Sequence, residues 1–411
     1  MSEQKFSKTF AEAFRFEKER TVAAQNLQAK LRKDQNGVSA FRDTVRIVPL
    51  ENDAEIRALK EIWEKIGIEK FDETELTPSF SPLLQKFDKK LSAYHGALKE
   101  LFPCPGEVDP ISVFWDISTK GNFDKELQEE IGPFRDISLL LMAPNTKEIL
   151  GGIDFCVYVH KEGPATVQTN FTFLKPEYRG IGFMSELLNA QDKTALAFIK
   201  ETRPEALEHG VFYGITEQNV PEAMDAETYI LDKAHSMDPI TRLRIWGSHN
   251  YARLKFRYVQ PALGPDEEPC DFLSLNASVR HIVKDPNGDY RLERTERPNE
   301  IPAKTLQNHV LAFFKQSIDG SPDDPTAADI TSSLHKAVAR NATVKTVSVA
   351  EQKAYLDTWE SRINEIKEVW EDTKPPNGVS VADLHQRIVE KRRTARPKTK
   401  STEVAVRCQY Q

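Results

Sequence analysis

Runs of apolar residues, some alternating with polar ones, predict short strands through the first two thirds of the chain. Arg42–Leu50 alternates as a half-buried strand does, whereas Ile137–Met142 is almost wholly apolar, which indicates burial on both faces. Ile149–Val159 and Ala165–Leu174 follow after short turns, so these three segments predict an antiparallel meander. The remaining predicted strands are Ile111–Ile117, Val211–Thr216, Tyr251–Val259 and Asp271–Val279.

Apolar positions spaced three or four residues apart predict helices between these strands and beyond them. One begins at a cap on Asn52 or Asp53 and ends at Gly67, with apolar residues from Ile56 to Ile66 on one face. Further predicted helices are Leu83–Leu101, Gly182–Lys200, Ile240–His249, Ala303–Ile318, Ala327–Arg340, Val349–Glu371 and Val381–Arg393.

The distribution of these elements divides the chain into three regions. We expect an N-terminal helical extension at 1–40, an α+β unit at 41–280 and a mainly helical C-terminal region at 281–411. In the α+β unit the order of elements predicts a mixed, mostly antiparallel central sheet flanked by helices. The basic run Lys391–Lys400 is expected to be a disordered terminus, although such a run can also touch nucleic acid or anionic lipid.

Composition narrows the functional classes. The formal charge of −7 argues against a specific nucleic-acid partner, because such proteins usually carry a basic domain or stripe. No segment approaches the ~18 consecutive apolar residues of a membrane span, and the charged N-terminus does not resemble a signal peptide. The four cysteines are widely spaced and form no CxxC pair, so we expect no metal site, reduced thiols and a cytoplasmic location.

One junction combines a strand end, two glycines and a helix start. The strand before Pro176 ends there because proline cannot continue the hydrogen-bond ladder. Gly180 and Gly182 follow, and glycine lets a backbone approach a ligand closely. The first amides of the helix have no internal partners and lie at the positive end of its dipole, an arrangement suited to a pyrophosphate.

The segment Phe171–Met184 resembles the acetyl-CoA signature of the GCN5-related N-acetyltransferases (GNATs), which is Gln/Arg-x-x-Gly-x-Gly/Ala after a strand and Pro-Glu-Tyr. Arg179, Gly182 and Met184 occupy the three fixed places, and Met184 stands where a small residue is expected. The resemblance covers about 41–280 and implies a GNAT-like fold with acetyl-CoA, or another acyl-CoA, as co-substrate.

Carried over position by position, the resemblance implies two sets of contacts with the co-substrate. Strand residues that should pair with the pantetheine amides are Thr172, Phe173 and Leu174. Residues that should surround the pyrophosphate are Gly180, Ile181, Gly182, Phe183, Met184 and Ser185. Asn219 resembles an asparagine of the family that contacts the co-substrate after the fifth strand.

The candidate catalytic residues match the family less completely than the predicted co-substrate contacts do. Acetyl transfer needs a base for the amine and an acid for the departing thiolate. Glu217 is the preferred base, with helix capping or plain solvation as the alternative, and Asp154 is a weaker candidate. Trp246 falls where many family members have a tyrosine that acts as the acid. Tyr251 is the first substitute and His249 or Ser248 are others, with a structural role as the alternative for each.

The acceptor side is predicted from polar residues near the expected opening. Asp238 either contributes to the acceptor site or caps a helix before Pro239. Arg242 and Arg244 could grip an acidic group or pair with surface acids. Glu267 lies in an acidic loop that could attract a cationic amine or could be a solvated hairpin tip.

Two hypotheses follow from these features. In the first, the chain is an N-acetyltransferase that transfers an acetyl or short acyl group to the primary amine of a small molecule or a protein. The amine attacks directly in a ternary complex. In the second, it is a non-catalytic module that binds acyl-CoA for regulation or scaffolding, which Trp246 and the helical C-terminal region favour. A homodimer is left open, and no membrane partner is expected.

Overall fold

The computed structural model describes residues 45–50, 82–102, 108–119, 121–143, 148–226, 228–229, 237–262, 269–317, 324–370 and 378–395. The N-terminal extension, the helix expected before Gly67, the loop with Glu267 and the end of the basic run lie outside these ranges. Within them, no helix combines the length and the apolar character needed to cross a lipid bilayer.

Eight strands of the described part form one sheet in the order β1-β2-β3-β4-β5-β7-β6, with β8 also paired to β7. The strands are β1 (Arg46–Pro49), β2 (Phe134–Met142), β3 (Ile149–Tyr158), β4 (Thr166–Leu174), β5 (Val211–Asn219), β6 (Ala252–Arg253), β7 (Leu273–Lys284) and β8 (Tyr290–Glu296). Among the described strand pairs of this sheet, β4 and β5 are parallel and the others are antiparallel. The predicted mixed, mostly antiparallel sheet is therefore confirmed.

Helices flank both faces of this sheet, and a second, two-stranded sheet pairs β9 (Glu300–Pro302) with β10 (Thr343–Lys345). Before β2 come α1 (Pro82–Leu101), α2 (Ile111–Thr119) and α3 (Lys125–Ile131), and between later strands lie α4 (Phe183–Thr202) and α5 (Pro239–Ser248). The C-terminal region contains α6 (Ala303–Ser317), α7 (Pro325–Ala339), α8 (Val349–Trp370) and α9 (Val381–Ala395).

The apolar core is divided between the two faces of the sheet because successive strand residues point to opposite sides. On one face, Leu187 and Ile199 of α4 pack with Ile153 and Phe155 of β3. On the other face, α6 and α7 cover the region of Tyr158, Tyr213 and Ile215, while α1 and α2 cover Leu140 and Phe173. The polar side chains of β2 and β3 that lie between these two helix pairs open into a cavity.

Helix α6 joins the sheet through a buried polar network as well as through apolar packing. His309 places Nδ1 2.9 Å from Thr166 Oγ1 and Nε2 3.0 Å from Gln168 Oε1. His160 Nε2 lies 2.8 Å from the same Thr166 hydroxyl. Burial lowers the pKa of His160 and of His309 to about 3, so both rings are neutral near pH 7.

Helix α8 packs against α5 and α9. Trp359 and Ile363 of α8 lie in one apolar cluster with Ile240 of α5. Arg244 of α5 donates to Glu360 at 2.7 Å and to Asp357 at 3.1 Å. The predicted alternative for Arg244, pairing with surface acids, is therefore what the structure shows.

Two strand predictions are wrong. Ile111–Ile117 forms helix α2 instead, and its Phe114 and Trp115 pack against Leu98 of α1. A short apolar run does not separate the two periodicities, and helical packing against α1 decides the outcome. Tyr251–Val259 contributes only the two residues of β6 to the sheet.

Three strands extend beyond, or lie outside, the predicted ranges. β5 continues through Glu217 to Asn219, so both residues belong to the strand rather than follow it. β7 runs on to Lys284 and pairs with β8, a strand that the charged sequence Tyr290–Glu296 did not suggest. The expected boundary at residue 280 thus falls inside a strand of the central sheet.

Candidate active site

The sheet opens where its two parallel strands separate. β4 and β5 pair from Thr166 with Tyr213 as far as Thr169 with Thr216, and their pairing ends there. The register of β4 against β3 shifts at this point, which marks a bulge at Asn170. Beyond the bulge, the described pairing of Phe171–Leu174 is with β3, so their other edge faces the gap between the strands.

Two glycines of β3 let the end of β4 approach closely. A Cβ on Gly151 would lie 2.6 Å from the Phe173 carbonyl oxygen, and one on Gly152 would lie 2.9 Å from the Phe173 ring. Phe173 is 4 % exposed and packs in the cluster of α1 and α2. The backbone of β4 beside the gap is therefore fixed by close packing on its β3 side.

The turn after β4 has the conformation that its glycines predict. Gly180 and Gly182 have φ angles of 77° and 96°, which L-residues with a side chain rarely adopt. Gly182 is the N-terminal cap of α4, and Arg179 Nε donates to the Leu174 carbonyl at 2.9 Å, which ties the turn to the strand end. The N-terminal end of this 20-residue helix, at Gly182, Met184 and Ser185, therefore lines the same opening as the strand edge.

The strand edge, the glycine turn and the end of β5 line one cavity of about 2170 Å³. Predicted site residues that line it are Thr172, Phe173, Leu174, Gly180, Gly182, Met184, Ser185, Glu217, Asn219 and Arg242. Ile181 and Phe183 instead pack in the core beneath α4, and Phe183 is 0 % exposed. Met184 is partly buried against the same core while it lines the cavity, so a bulky residue is accommodated in the turn.

Glu217 is a partly buried carboxyl on the cavity wall. Its Oε1 accepts a hydrogen bond from the Tyr258 hydroxyl. Burial raises the pKa of Glu217 to about 7, although the Tyr258 bond opposes that rise. A carboxyl with a pKa near the ambient pH can both accept and release a proton, which suits a general base.

Asp154 is a second recessed carboxyl in the cavity. Ser138 Oγ donates to its Oδ2 at 2.5 Å and Asn170 Nδ2 donates to its Oδ1 at 3.0 Å. Burial raises the pKa of Asp154, and these two hydrogen bonds oppose the rise. Strand alternation places Asp154 and Glu217 on the same face of the sheet, on either side of β4.

Tyr251, the expected acid, does not line the cavity. It is 0 % exposed, and its hydroxyl accepts a 3.0 Å hydrogen bond from Arg280. Arg280 also donates to Asp192 of α4 at 2.9 Å, so Tyr251 belongs to a buried polar group beneath the sheet. Trp246 packs edge-on against Tyr251 with ring centroids 4.7 Å apart and presents its other side to the cavity.

Of the remaining predicted site residues that the structure describes, some line the cavity and one caps a helix. Arg242, Ser248 and half-buried His249 of the α5 segment line the cavity, and burial lowers the pKa of His249. Asp238 caps α5 through a 3.1 Å hydrogen bond from the Thr241 amide, so the structure supports the capping alternative. Glu267 lies outside the described residues.

Sequence reasoning did not anticipate that the C-terminal region walls the same cavity. Phe313, Phe314 and Gln316 of α6 and Thr331 and His335 of α7 face it. Tyr258 was also missed, because its contact with Glu217 spans 41 residues of sequence and depends on the folded arrangement. No local pattern around residue 258 could have revealed this contact.

No protein-family model matches the sequence, and no curated protein matches it. Solved structures similar to the chain include Arabidopsis thaliana Naa50 in complex with the bisubstrate analogue CoA-Ac-MVNAL, which is 10% identical with a TM-score of 0.24. That match covers 57% of this chain and 97% of Naa50. The NatC complex bound to Gag peptide and CoA is 12% identical with a TM-score of 0.24, and the match covers 57% and 96% of the two chains.

An acetyltransferase of the GNAT family from Streptococcus pneumoniae is 12% identical with a TM-score of 0.25, and the match covers 46% of this chain and 93% of that chain. The topology of the chain itself defines the fold. Strand order, the parallel β4–β5 pair that opens at a bulge, and the glycine-led helix after β4 make the fold GNAT-like.

Proposed function

We propose that the chain is an acyl-CoA-dependent N-acyltransferase that transfers an acetyl or short acyl group to a primary amine. The observation that supports this most directly is the meeting of three features in one cavity. These are the open edge of β4, the glycine-led N-terminus of α4 and the recessed carboxyl of Glu217. The strand edge and the helix N-terminus suit the binding of acyl-CoA, and the carboxyl suits the deprotonation of an amine.

Acyl-CoA would bind as a substrate along the gap between β4 and β5. Thr172 and Leu174 offer backbone groups that can pair with the amides of pantetheine, as an added strand would. The Thr172 hydroxyl beside this strand edge is buried without a hydrogen-bond partner among the described residues. The amide of Met184, at the positive end of the α4 dipole, would bind the pyrophosphate, and the Ser185 amide would join it by exchanging its 3.1 Å bond to the Gly182 carbonyl.

Glu217 would take the proton that the attacking amine loses. An amine attacks a thioester carbonyl only in its neutral form, so a base in the cavity is needed near pH 7. The carboxyl of Glu217, with its raised pKa of about 7, can accept that proton directly or through water. Asp154, held by Ser138 and Asn170, lies on the same face and can bind a positively charged part of the acceptor.

Departure of the thiolate needs little assistance, since a thiol has a pKa of about 8.5. Tyr251 is not available for this step because its hydroxyl is buried against Arg280. The departing thiolate can take its proton from water, while His249 and Ser248, which line the cavity on the α5 side, can donate hydrogen bonds to its sulfur.

Calorimetry with acetyl-CoA tests the proposal at the binding step. We expect Gly182→Glu to abolish binding, because its carboxylate would repel the pyrophosphate and a side chain is strained at φ 96°. Gly288→Glu is the matched control, since Gly288 has a similar φ of 88° but does not line the cavity. Absence of wild-type binding at millimolar acetyl-CoA would refute the proposal, and equal loss in both variants would remove its link to the turn.

A non-catalytic acyl-CoA-binding module is the second candidate. It is favoured by one observation, namely that Trp246 faces the cavity while the hydroxyl of Tyr251 is buried. Thiol release from acetyl-CoA, measured against a panel of small amines and peptides, separates the two functions. Binding of acetyl-CoA without turnover on any amine would support the module, whereas turnover that disappears in Glu217→Gln would support the enzyme.

A further inference from the structure

Tyr258 connects the candidate base to the C-terminal region. Its side chain is 2 % exposed, and its hydroxyl donates to Glu217 Oε1. The Tyr258 ring stacks on Phe314 of α6, with centroids 6.4 Å apart and planes 26° from parallel. Glu217 therefore contacts a tyrosine whose ring packs against a helix outside the GNAT-like unit.

Helix α6 is anchored independently of Tyr258. His309 bonds to Thr166 and Gln168 of β4, and Gln316 donates to Asp136 of β2 while it accepts from the Tyr158 hydroxyl. These bonds hold the middle and the C-terminal end of the helix against the sheet. Phe314 consequently presents a fixed surface to the Tyr258 ring.

We propose that Tyr258 is a positioning residue for Glu217 and that α6, by holding Tyr258, makes the C-terminal region part of the catalytic site. The inference rests on the proposed function in one respect, since it takes Glu217 as the base. The hydrogen bond from Tyr258 would orient the carboxylate toward the cavity and stabilise its charged form. Region 281–411 would then determine how strongly the base is protonated.

Other titratable groups near Glu217 do not replace Tyr258 in this role. Tyr158 of β3 and Cys270 are close enough for the Glu217 charge to contribute to their raised pKa values, after the larger effect of burial. Neither donates a hydrogen bond to Glu217 among the described contacts. The titratable groups of α6 lie elsewhere: Lys315 pairs with Glu130, His309 bonds to β4, and Lys304 acts on His160.

Tyr258→Phe keeps the ring that stacks on Phe314 and removes only the hydroxyl. Because a hydrogen bond to the charged form lowers a carboxyl's pKa, its loss should raise the pKa of Glu217 by about one to two units. The acidic limb of the kcat/KM profile should move upward by the same amount, and activity below that limb should fall at least about tenfold. KM for acetyl-CoA should change little.

Two further variants make the test specific. Phe314→Leu leaves Tyr258 intact but removes its stacking partner, so the limb should move in the same direction by a smaller amount. Tyr355→Phe is the matched control, because Tyr355 also donates its hydroxyl to a glutamate, Glu222, but does not line the cavity. Its profile should overlay that of the wild type.

Direct titration of the Glu217 carboxyl by carbon NMR, assigned with Glu217→Gln, reads the same effect without turnover. An unchanged midpoint in Tyr258→Phe overturns the inference, and so does an equal shift in Tyr355→Phe. If the wild type turns over no amine, the proposed function fails while the NMR comparison still decides whether Tyr258 controls Glu217. A shifted midpoint together with a shifted kinetic limb supports both.

Discussion

Glu217→Gln should make the protein more stable at neutral pH while it removes activity. The pKa of Glu217 rises on folding from 4.5 to about 7, so the folded protein holds this proton more tightly than the unfolded chain does. The stability contributed by Glu217 is greatest below about pH 4.5 and falls as pH rises to about 7, where it levels off. The change in pKa from 4.5 to about 7 corresponds to a loss of about 3 kcal/mol in the free energy of unfolding across this pH range. A neutral glutamine has no such pH dependence.

Urea unfolding of the wild type and Glu217→Gln across this pH range measures the difference directly. At about pH 4 the two proteins should agree within ~0.5 kcal/mol, because both side chains are then neutral. By about pH 8 the variant should be more stable by about 2–3 kcal/mol, the lower value allowing for the partial exposure of Glu217 at the cavity. Subtracting the two curves of unfolding free energy against pH cancels the contributions of the other carboxyls, because both proteins share them. Several of those carboxyls have a lowered pKa in the folded protein, so their contribution to stability changes with pH in the opposite sense.

A difference that stays flat across this range would refute the reasoning, because it would mean that burial does not perturb Glu217. A difference of opposite sign would mean that the carboxylate is stabilised in the fold, which would make it a poor base at neutral pH. Steady-state kinetics of the same variant provide the second half of the test. Gain of stability with loss of turnover is the result expected of a catalytic carboxyl whose charged form is destabilised by burial.

Asp192→Ala should cost about 3–5 kcal/mol, because it leaves Arg280, which is 1 % exposed, without its buried counter-charge. Urea unfolding measures this, and a loss below ~1 kcal/mol would mean that water or Tyr251 replaces the carboxylate. Gly152→Ala should push a Cβ to 2.9 Å from the Phe173 ring and weaken acetyl-CoA binding roughly tenfold in calorimetry. Gly96→Ala, in α1 with nothing within 4 Å of the new Cβ, should leave binding unchanged, and equal effects would contradict the explanation.

The strand meander and the glycine turn were predictable because local patterns determine them. Pro176 ends β4, and Gly180 and Gly182 adopt positive φ angles that their sequence context already favours. The apolar run of Ile137–Met142 lies in strand β2, where Leu139–Leu141 are buried on both faces while Ile137, Ser138 and Met142 are partly buried. These features depend on neighbours within a few residues, so the sequence alone carries them.

The errors come from segments whose structure depends on distant partners. Ile111–Ile117 is helical because Phe114 packs against α1, and β8 is a strand because β7 offers a free edge to a charged segment. The predicted strand ended at Thr216, short of the end of β5, because Glu217 is polar. Glu217 lies on the wall of a cavity, where a polar side chain can be accommodated on a strand. Polar residues at a site obscure the periodicity from which strands are recognised.

The geometry of the candidate site was predictable at the glycine turn but not around Glu217. The glycine turn has a local signature, whereas the acceptor side is assembled from β3, β5, Tyr258 and α6. Tyr251 was a reasonable substitute for the missing acid by spacing, yet its hydroxyl is committed to Arg280. Spacing gives the position of a residue along the chain, but the face it presents depends on packing.

The hydrogen bonds of His309 impose one proton arrangement on the contact between α6 and β4. With the Gln168 carbonyl oxygen facing Nε2, His309 must carry its proton there, so its Nδ1 accepts from the Thr166 hydroxyl. That hydroxyl has a single proton, so it must in turn accept from His160 Nε2. Each ring is thus restricted to one tautomer. If α6 moved by one turn along the sheet, His309 would lose both Thr166 and Gln168, so its two hydrogen bonds specify the register of α6 and with it the position of Phe314.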